Sequence, residues 1–483
     1  MFKKLAAGIF LFSVVVPAQI ISLQDAVDMA MENNAKIKQY SEKLEQKEYE
    51  NLAAWGNFLP KIGIEASYTH LDEELQMDLN PIREAMIQLQ TSNSVNFANI
   101  SNILQTGTPL TDAQKQATAA AATQQLEALL PSFTETLKKQ DYKSASFVGV
   151  LPLFMGGKLI AAKKFSSAQE NAASDELEKT RQEITAQTVN AYLTAILLKE
   201  VIFTRREVLA GIKNHKNNAD KLFKEGVIPK YHLLRAEVAF AEAKQSLDDD
   251  VSNFEISILG LKQVLGITDT AQIFLSDSLA FHRFPDQLDD VLASADENQP
   301  VLKLIRENKI AAAQKYNVER SKFLPQIAAF GKYEMYPQYL SALEPRWAVG
   351  VQMSINLFNG FSDYHNLKSA SHLEKEIEFI EFDTKSRINL WVNKSFKDAN
   401  NQIDKYNNLN PTVNLAKENL RLNEERFNNG VGTSLEVIDA RLSLQKAELD
   451  KLVALANYYK NLTSLYLAEG RPEKVLNVWM TEK

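Results

Sequence analysis

The chain repeats itself, and the repeat limits its possible folds more than any other feature. Leu23, Asp25, Glu32, Asn33, Lys38, Phe58, Leu59 and Pro60 recur as Leu288, Asp290, Glu297, Asn298, Lys303, Phe323, Leu324 and Pro325, all at an offset of 265 (288 − 23). A second set recurs at an offset of 204 (357 − 153): Leu153, Phe154, Gly156, Thr180, Ile184, Phe223, Gly226, Val227, Ala236, Ala243 and Gly266 match Leu357, Phe358, Gly360, Thr384, Ile388, Phe427, Gly430, Val431, Ala440, Ala447 and Gly470. The chain is therefore two copies of one unit, about 19–266 and 288–470, joined by a segment 267–287 and followed by a tail 471–483. The difference between the offsets, 265 − 204 = 61, is an insertion in the first copy, at about 72–141. Internal repetition of this kind means that one supersecondary unit has to fold twice.

Each copy has the same order: a helical segment ending at Phe-Leu-Pro, two short alternating segments, Leu-Phe-x-Gly, a very long helical segment, a glycine turn and another helix. Between Lys158 and Phe223 only Gly211 interrupts the helix formers, and between Phe361 and Phe427 only Pro411 does. About 66 helical residues make a rod of roughly 100 Å, which no ordinary globular domain needs. Segments 23–57 and 230–263 together match one such rod in length. Two shorter helices stacked end to end therefore suit a coiled-coil-like pair with it.

The alternating segments are expected at about 61–71, 142–153, 326–336 and 347–357. Ile62, Ile64, Ala66 and Tyr68 alternate with Lys61, Gly63, Glu65, Ser67 and Thr69. Trp347, Val349, Val351, Met353, Ile355 and Leu357 fall on one side of their segment, with Ala348, Gly350, Gln352, Ser354 and Asn356 on the other. Period two over about ten residues, apolar against small or polar, is the pattern of a strand in an outer-membrane barrel. Tyr142, Phe147, Tyr333 and Tyr336 are residues suited to a membrane–water interface. Four strands cannot close a barrel, and an open edge is not tolerated in lipid. Several chains must then share one barrel: two give eight strands and a filled interior, three give twelve and room for an opening. The insertion lies between the first two strands, with a helical stretch near 112–130, and is read as an extracellular loop or plug.

Composition narrows the function. The chain has 483 residues, 45% of them hydrophobic, and no cysteine, so disulfides, thiolate catalysis and iron–sulfur clusters are excluded. A formal charge of −7 argues against a nucleic-acid binder. Lys3 and Lys4 precede an apolar run from Leu5 to Val16 and the small-residue site Val16-Pro17-Ala18. Residues 1–18 therefore read as a secretory signal peptide cleaved near Ala18. No phosphate loop, dinucleotide glycine fingerprint or Gly-x-Ser-x-Gly elbow is present. His365 and His372 lie seven apart without an evident third ligand, and Asp248-Asp249-Asp250 reads as a solvated face, so no enzyme, cofactor or metal site is expected.

With the duplicated order, the Phe-Leu-Pro junctions and the glycine turns in view, the chain resembles the TolC family of outer-membrane efflux proteins over about 20–470. The sharpest match is RFNNGVGTSLEVIDAR, Arg426 to Arg441, with KLFKEGVIPKYHLLRA, Lys221 to Ala236, as its first-copy counterpart. The resemblance implies a mainly α fold with membrane β: a homotrimer whose four strands per chain make a twelve-stranded barrel continuing into a long α-helical periplasmic barrel. It implies a periplasmic adaptor and an inner-membrane pump as partners, a Gram-negative outer membrane as location, and drugs, toxic compounds or secreted proteins as cargo. The segment 267–287 and the tail would form a belt around the helices. The turns near 226 and 430 would form the periplasmic tip, with Gly226, Val227, Gly430, Val431 and Gly432 contacting the adaptor. Glu436 and Asp439 would narrow the entrance and favour cations, Phe427 would help latch it, and His232 stands where a first-copy acidic residue can occur. Two other classes compete with a conduit: a non-conducting envelope rod, and a periplasmic helical binding protein with no membrane part. Conductance separates the first from the conduit, and solubility without detergent separates the second.

Overall fold

A computed structural model describes residues 19–268, 270–341 and 343–480. The expected signal peptide, 1–18, lies outside them. In chain order the elements are β1 (Gln19–Ile21), α1 (Leu23–Asn33), α2 (Ala35–Gly56), β2 (Lys61–His70), β3 (Leu75–Asp78), α3 (Asn80–Thr106), α4 (Asp112–Leu129), β4 (Thr134–Lys138), β5 (Asp141–Met155), α5 (Lys158–Lys224), α6 (Lys230–Leu265), β6 (Ile273–Leu275), α7 (Leu288–Asn298), α8 (Pro300–Ser321), β7 (Gln326–Glu334), β8 (Trp347–Ser354), α9 (Ser362–Asn428), α10 (Ser434–Glu469) and α11 (Lys474–Trp479). The chain is mainly helical with few strands. It divides into two compact units, one of residues 55–159 and 320–361, the other of the remainder. Among the described residues no helix is long and apolar enough to cross a membrane.

The smaller unit holds one four-stranded sheet in the order β2-β5-β7-β8, antiparallel throughout. Strands from both copies join through β5 and β7. Residues directly opposite each other share a face, and the register sets Ile64, Phe147, Tyr333 and Trp347 in one row across all four strands. Along the same face Ile62, Val349, Val351 and Met353 stand exposed. The other face carries Lys332, Glu334, Ala348 and Gln352. There Phe330 lies over Gly350, where a Cβ would come within 2.9 Å of its ring. Tyr142 lies on this other face, not in the aromatic row. Its ring stacks on Tyr339 at 5.3 Å, with the Lys138 ammonium over both.

The insertion is more ordered than its composition suggests. β3 and β4 pair as a hairpin stem, and α3 and α4 form a helical hairpin above it. Thr111 and Gln114 make a reciprocal capping box at the start of α4. The sequence pattern places a helix near 112–130. It gives no signal for the longer α3, whose Asn, Ser and Thr are poor helix formers.

In the larger unit α9 and α10 pack along each other, and the repeat shows itself as interlocking ends. α1 stops at Asn34, whose side-chain amide donates to the Val264 carbonyl at the end of α6 (2.7 Å). Gln299, at the same point of the second copy, donates to Leu467 and Ala468 at the end of α10. Gly266 and Gly470 end those helices at φ +69° and +84°, and a Cβ on either would meet the backbone of Asn33 or Asn298 below 3 Å. The recurring Gly266 and Gly470 are thus packing requirements. The main core joins Leu193, Ile196, Val392, Leu462 and Leu465 to Leu23, Ala26, Val291 and Val475. Across it runs the segment 270–287, in which β6 pairs in parallel with β1.

Candidate functional site

The two glycine turns and the four helix ends beside them lie in the larger unit. Each turn is a Schellman motif. Gly226 N donates to Phe223 O and Val227 N to Leu222 O; Gly430 N donates to Phe427 O and Val431 N to Arg426 O. Both glycines have left-handed backbone, φ +75° and +74°, which other residues adopt only with strain. Gly432 serves differently: a Cβ there would come within 2.8 Å of Phe427 N. The turns are neighbours, since a Cβ on Gly430 would touch Val227 at 3.8 Å. Val227 and Val431 are exposed, 53% and 70%.

Beneath the turns lies a small core of Ala219, Ile228, Leu233, Ala236, Leu420, Phe427, Val437 and Ala440, drawn from α5, α6, α9 and α10 and from the turn after α5. Phe427 is buried in it, whereas its counterpart Phe223 is partly exposed. The two copies are therefore not equivalent at this point. Ser434, the first residue of α10, is fully buried and meets two histidines of the first copy. His215 Nε2 lies 2.7 Å from its hydroxyl, and His232 Nδ1 accepts a hydrogen bond from its backbone N–H at 3.4 Å. His215 also packs on the Phe427 ring, with centroids 4.6 Å apart, and His232 on Tyr231. Burial pushes the His215 imidazole down to about 4, with the nearby Arg441 and His232 charges acting in the same direction.

The expected gate residues occupy distinct places. Glu436 forms a capping box with Thr433, accepting from its N–H at 2.7 Å and its hydroxyl at 3.1 Å, and faces Arg426 at 3.4 Å. The Thr433 backbone N–H, then its hydroxyl and Arg426, hold the Glu436 carboxyl below its usual range. Asp439 is exposed on the same helix. Phe427 and His232 lie in the buried core and not on the surface.

A further polar element, besides the contact of His215 with Ser434, is not read from the sequence. Arg441 of α10 pairs with Glu424 of α9, and its guanidinium lies over Gly211 of α5, where any Cβ would overlap it. The lone glycine in a 67-residue helix was the available signal. Further along, Asp250 pairs with Arg205 at 2.8 Å, which takes it out of the solvated acidic face read from the sequence. Among the described residues, no cluster of three His, Asp or Glu side chains is placed to hold a metal ion.

The family model of outer membrane efflux proteins matches residues 128–267 and 291–471. Among solved structures, the chain is similar to the outer membrane protein VceC of Vibrio cholerae, at TM-score 0.70 and 16% identity over 93% of this chain and 96% of that one. It is likewise similar to the CmeC outer membrane channel of Campylobacter jejuni, at 0.71 and 15% over 93% and 85%. The open-state MtrE outer membrane channel of Neisseria gonorrhoeae gives 0.67 and 16% over 93% and 89%. No curated protein sequence matches the chain.

Proposed function

Because the chain belongs to the outer membrane efflux protein family, whose members are trimeric channels that work with pumps and are not enzymes, we propose that it is the outer-membrane channel of a tripartite export system. Three copies close a twelve-stranded barrel in the outer membrane of a Gram-negative cell. α5, α6, α9 and α10 of each copy, with α1, α2, α7 and α8, line a periplasmic tunnel. Transport is passive on this chain's part, and an inner-membrane pump supplies the energy. The cargo class is drugs, toxic compounds or secreted proteins. Repeats 19–266 and 288–470 each supply two strands and one tip turn, while 267–287 and 471–483 belt the helices.

The observation that carries this reading is the four-stranded sheet with an exposed apolar face and a free edge on each side, fed by two helices of 67 residues each. Such a sheet cannot stay as it is in water or in lipid. Gly226, Val227, Gly430, Val431 and Gly432 form the surface for a periplasmic adaptor: small, tightly turned and apolar at its two valines. Glu436 and Asp439, one turn apart on α10, present six carboxylates in a trimer, which narrow the entrance and favour cations.

Since Glu436 also caps its own helix, the test needs a variant that keeps the cap. Gln serves in a capping box, so Glu436→Gln with Asp439→Asn removes the charge and leaves the fold. In planar bilayers the double variant is expected to lose cation preference and gain conductance. Unchanged selectivity would remove the gate assignment, and no conductance from the unmodified protein would remove the channel.

A further inference from the structure

The insertion carries a surface that the efflux reading does not use. Residues 85–106, most of α3, contain no charged side chain. Ile82, Met86, Leu89, Phe97, Ile100 and Leu104 are all between 51% and 82% exposed. At 100° per residue these six positions fall within an arc of about 80°. The opposite side of α3, through the buried Ile87 and through Thr91, whose hydroxyl lies 3.1 Å from that of Thr123, packs on α4. The stripe is therefore the outer face of a finished hairpin, and a row of six large apolar side chains exceeds what a soluble surface ordinarily leaves in water.

We infer that the α3 stripes of three copies pack against one another about the molecular axis, forming a cap over the outer mouth of the channel. This rests on the trimeric reading above. Two observations choose a second copy as the occupant. The first is continuity: the insertion leaves β2 at His70, and β2 is an edge strand of the sheet, whose free side meets the neighbouring copy. The stripe thus starts beside the seam between copies, at the end of the sheet remote from Pro60 and Gly156. The second is Asn93, exposed at the centre of the same arc between Leu89 and Phe97. Facing hydrocarbon, an amide without partners is costly. Facing two copies of itself across a threefold axis, it gains partners and fixes the register, as a single buried Asn does in coiled coils. With no charge along the stripe, copies meet without repulsion.

The chain has no cysteine, so single substitutions report without background. Phe97→Cys and Ile100→Cys, oxidised in native outer membranes, are expected to give about two thirds of the chain as disulfide-linked dimer, because one bond uses two of three copies. Gln88→Cys, exposed on the far side of α3, is expected to stay monomeric on a denaturing gel. The same samples are sized in mild detergent. A trimer without the Phe97 or Ile100 crosslink, its thiol labelled instead by a lipid-soluble or an aqueous maleimide, overturns the cap and leaves the channel reading standing. A monomer in detergent overturns both.

Discussion

At the scale of single residues, the core beneath the glycine turns is organised around Ser434. Its hydroxyl meets His215 and its N–H meets His232, so one side chain of the first copy accepts a free N–H at the start of a helix of the second and another holds that helix's first side chain. Neither histidine has a histidine at the equivalent position: Asn419 stands for His215 and Glu436 for His232. His232 accepts at Nδ1, and His215 is buried against Phe427, with His232, Arg441 and the Glu424 paired to Arg441 as the titratable and charged groups around it. Because burial lowers His215 to about 4 in the folded chain, against about 6.5 when unfolded, the unfolded state binds the extra proton between those values. Stability from the neutral imidazole is complete above about pH 6.5 and is lost as the pH falls towards 4, by about 3 kcal/mol at most. The hydrogen-exchange protection of peptides around 212–219 and 428–440, taken relative to the intrinsic exchange rate at each pH, is therefore expected to fall between pH 7 and pH 5. His215→Asn, the residue of the other copy, should flatten that slope. An equal slope in the variant would show that His215 is not its source.

At the scale of elements, the two long helices and the strands are legible in the sequence because helix formers run on unbroken and strands alternate. The segment 267–287 is less so. Its place depends on four tyrosines far away in sequence, and each hydroxyl is used. Tyr192 reaches an Asp277 carboxylate oxygen, and Tyr458 donates to His282 O, Tyr459 to Ala280 O and Tyr466 to an Asp286 carboxylate oxygen. Phe284 N in turn donates to Tyr458 at 3.0 Å. β1 and β6 are three residues each, too short to show a period, and the tyrosines, with Lys199 on the Leu275 carbonyl and Trp479 on Asp277, hold the segment in place. The polar contacts beneath the glycine turns are hidden from the sequence for a similar reason, as His215 and Ser434 are 219 residues apart. Tyr458→Phe leaves the His282 carbonyl and the Phe284 N–H unpartnered inside the protein, at about 1–3 kcal/mol. It should lower the midpoint of helix unfolding in detergent, whereas Tyr231→Phe, on an exposed ring, should not. Equal midpoints for all three proteins would mean that the segment is held by its apolar contacts alone.

At the scale of the whole molecule, strand parity decides what the copies do together. β2, β5, β7 and β8 alternate in direction, so β8 of one copy runs antiparallel to β2 of the next when copies are related by rotation. Three copies give twelve strands with every seam antiparallel, and no edge is left for lipid to meet. A dimer of eight strands satisfies the same parity, but its interior is filled by side chains, which a channel family does not need. The two outcomes differ in a way that a cysteine-free chain makes easy to read. Ile64→Cys in β2 is combined in turn with Val349→Cys, Val351→Cys or Met353→Cys in β8, since all four side chains stand on the same exposed face of the sheet. At the member with matching register, each chain bonds to both neighbours, and oxidation should close a covalent ring that runs as a trimer after denaturation. A covalent dimer as the limit would mean an eight-stranded barrel with no open lumen. Monomers at every member would mean that β2 and β8 do not meet, and the shared barrel would have to be abandoned.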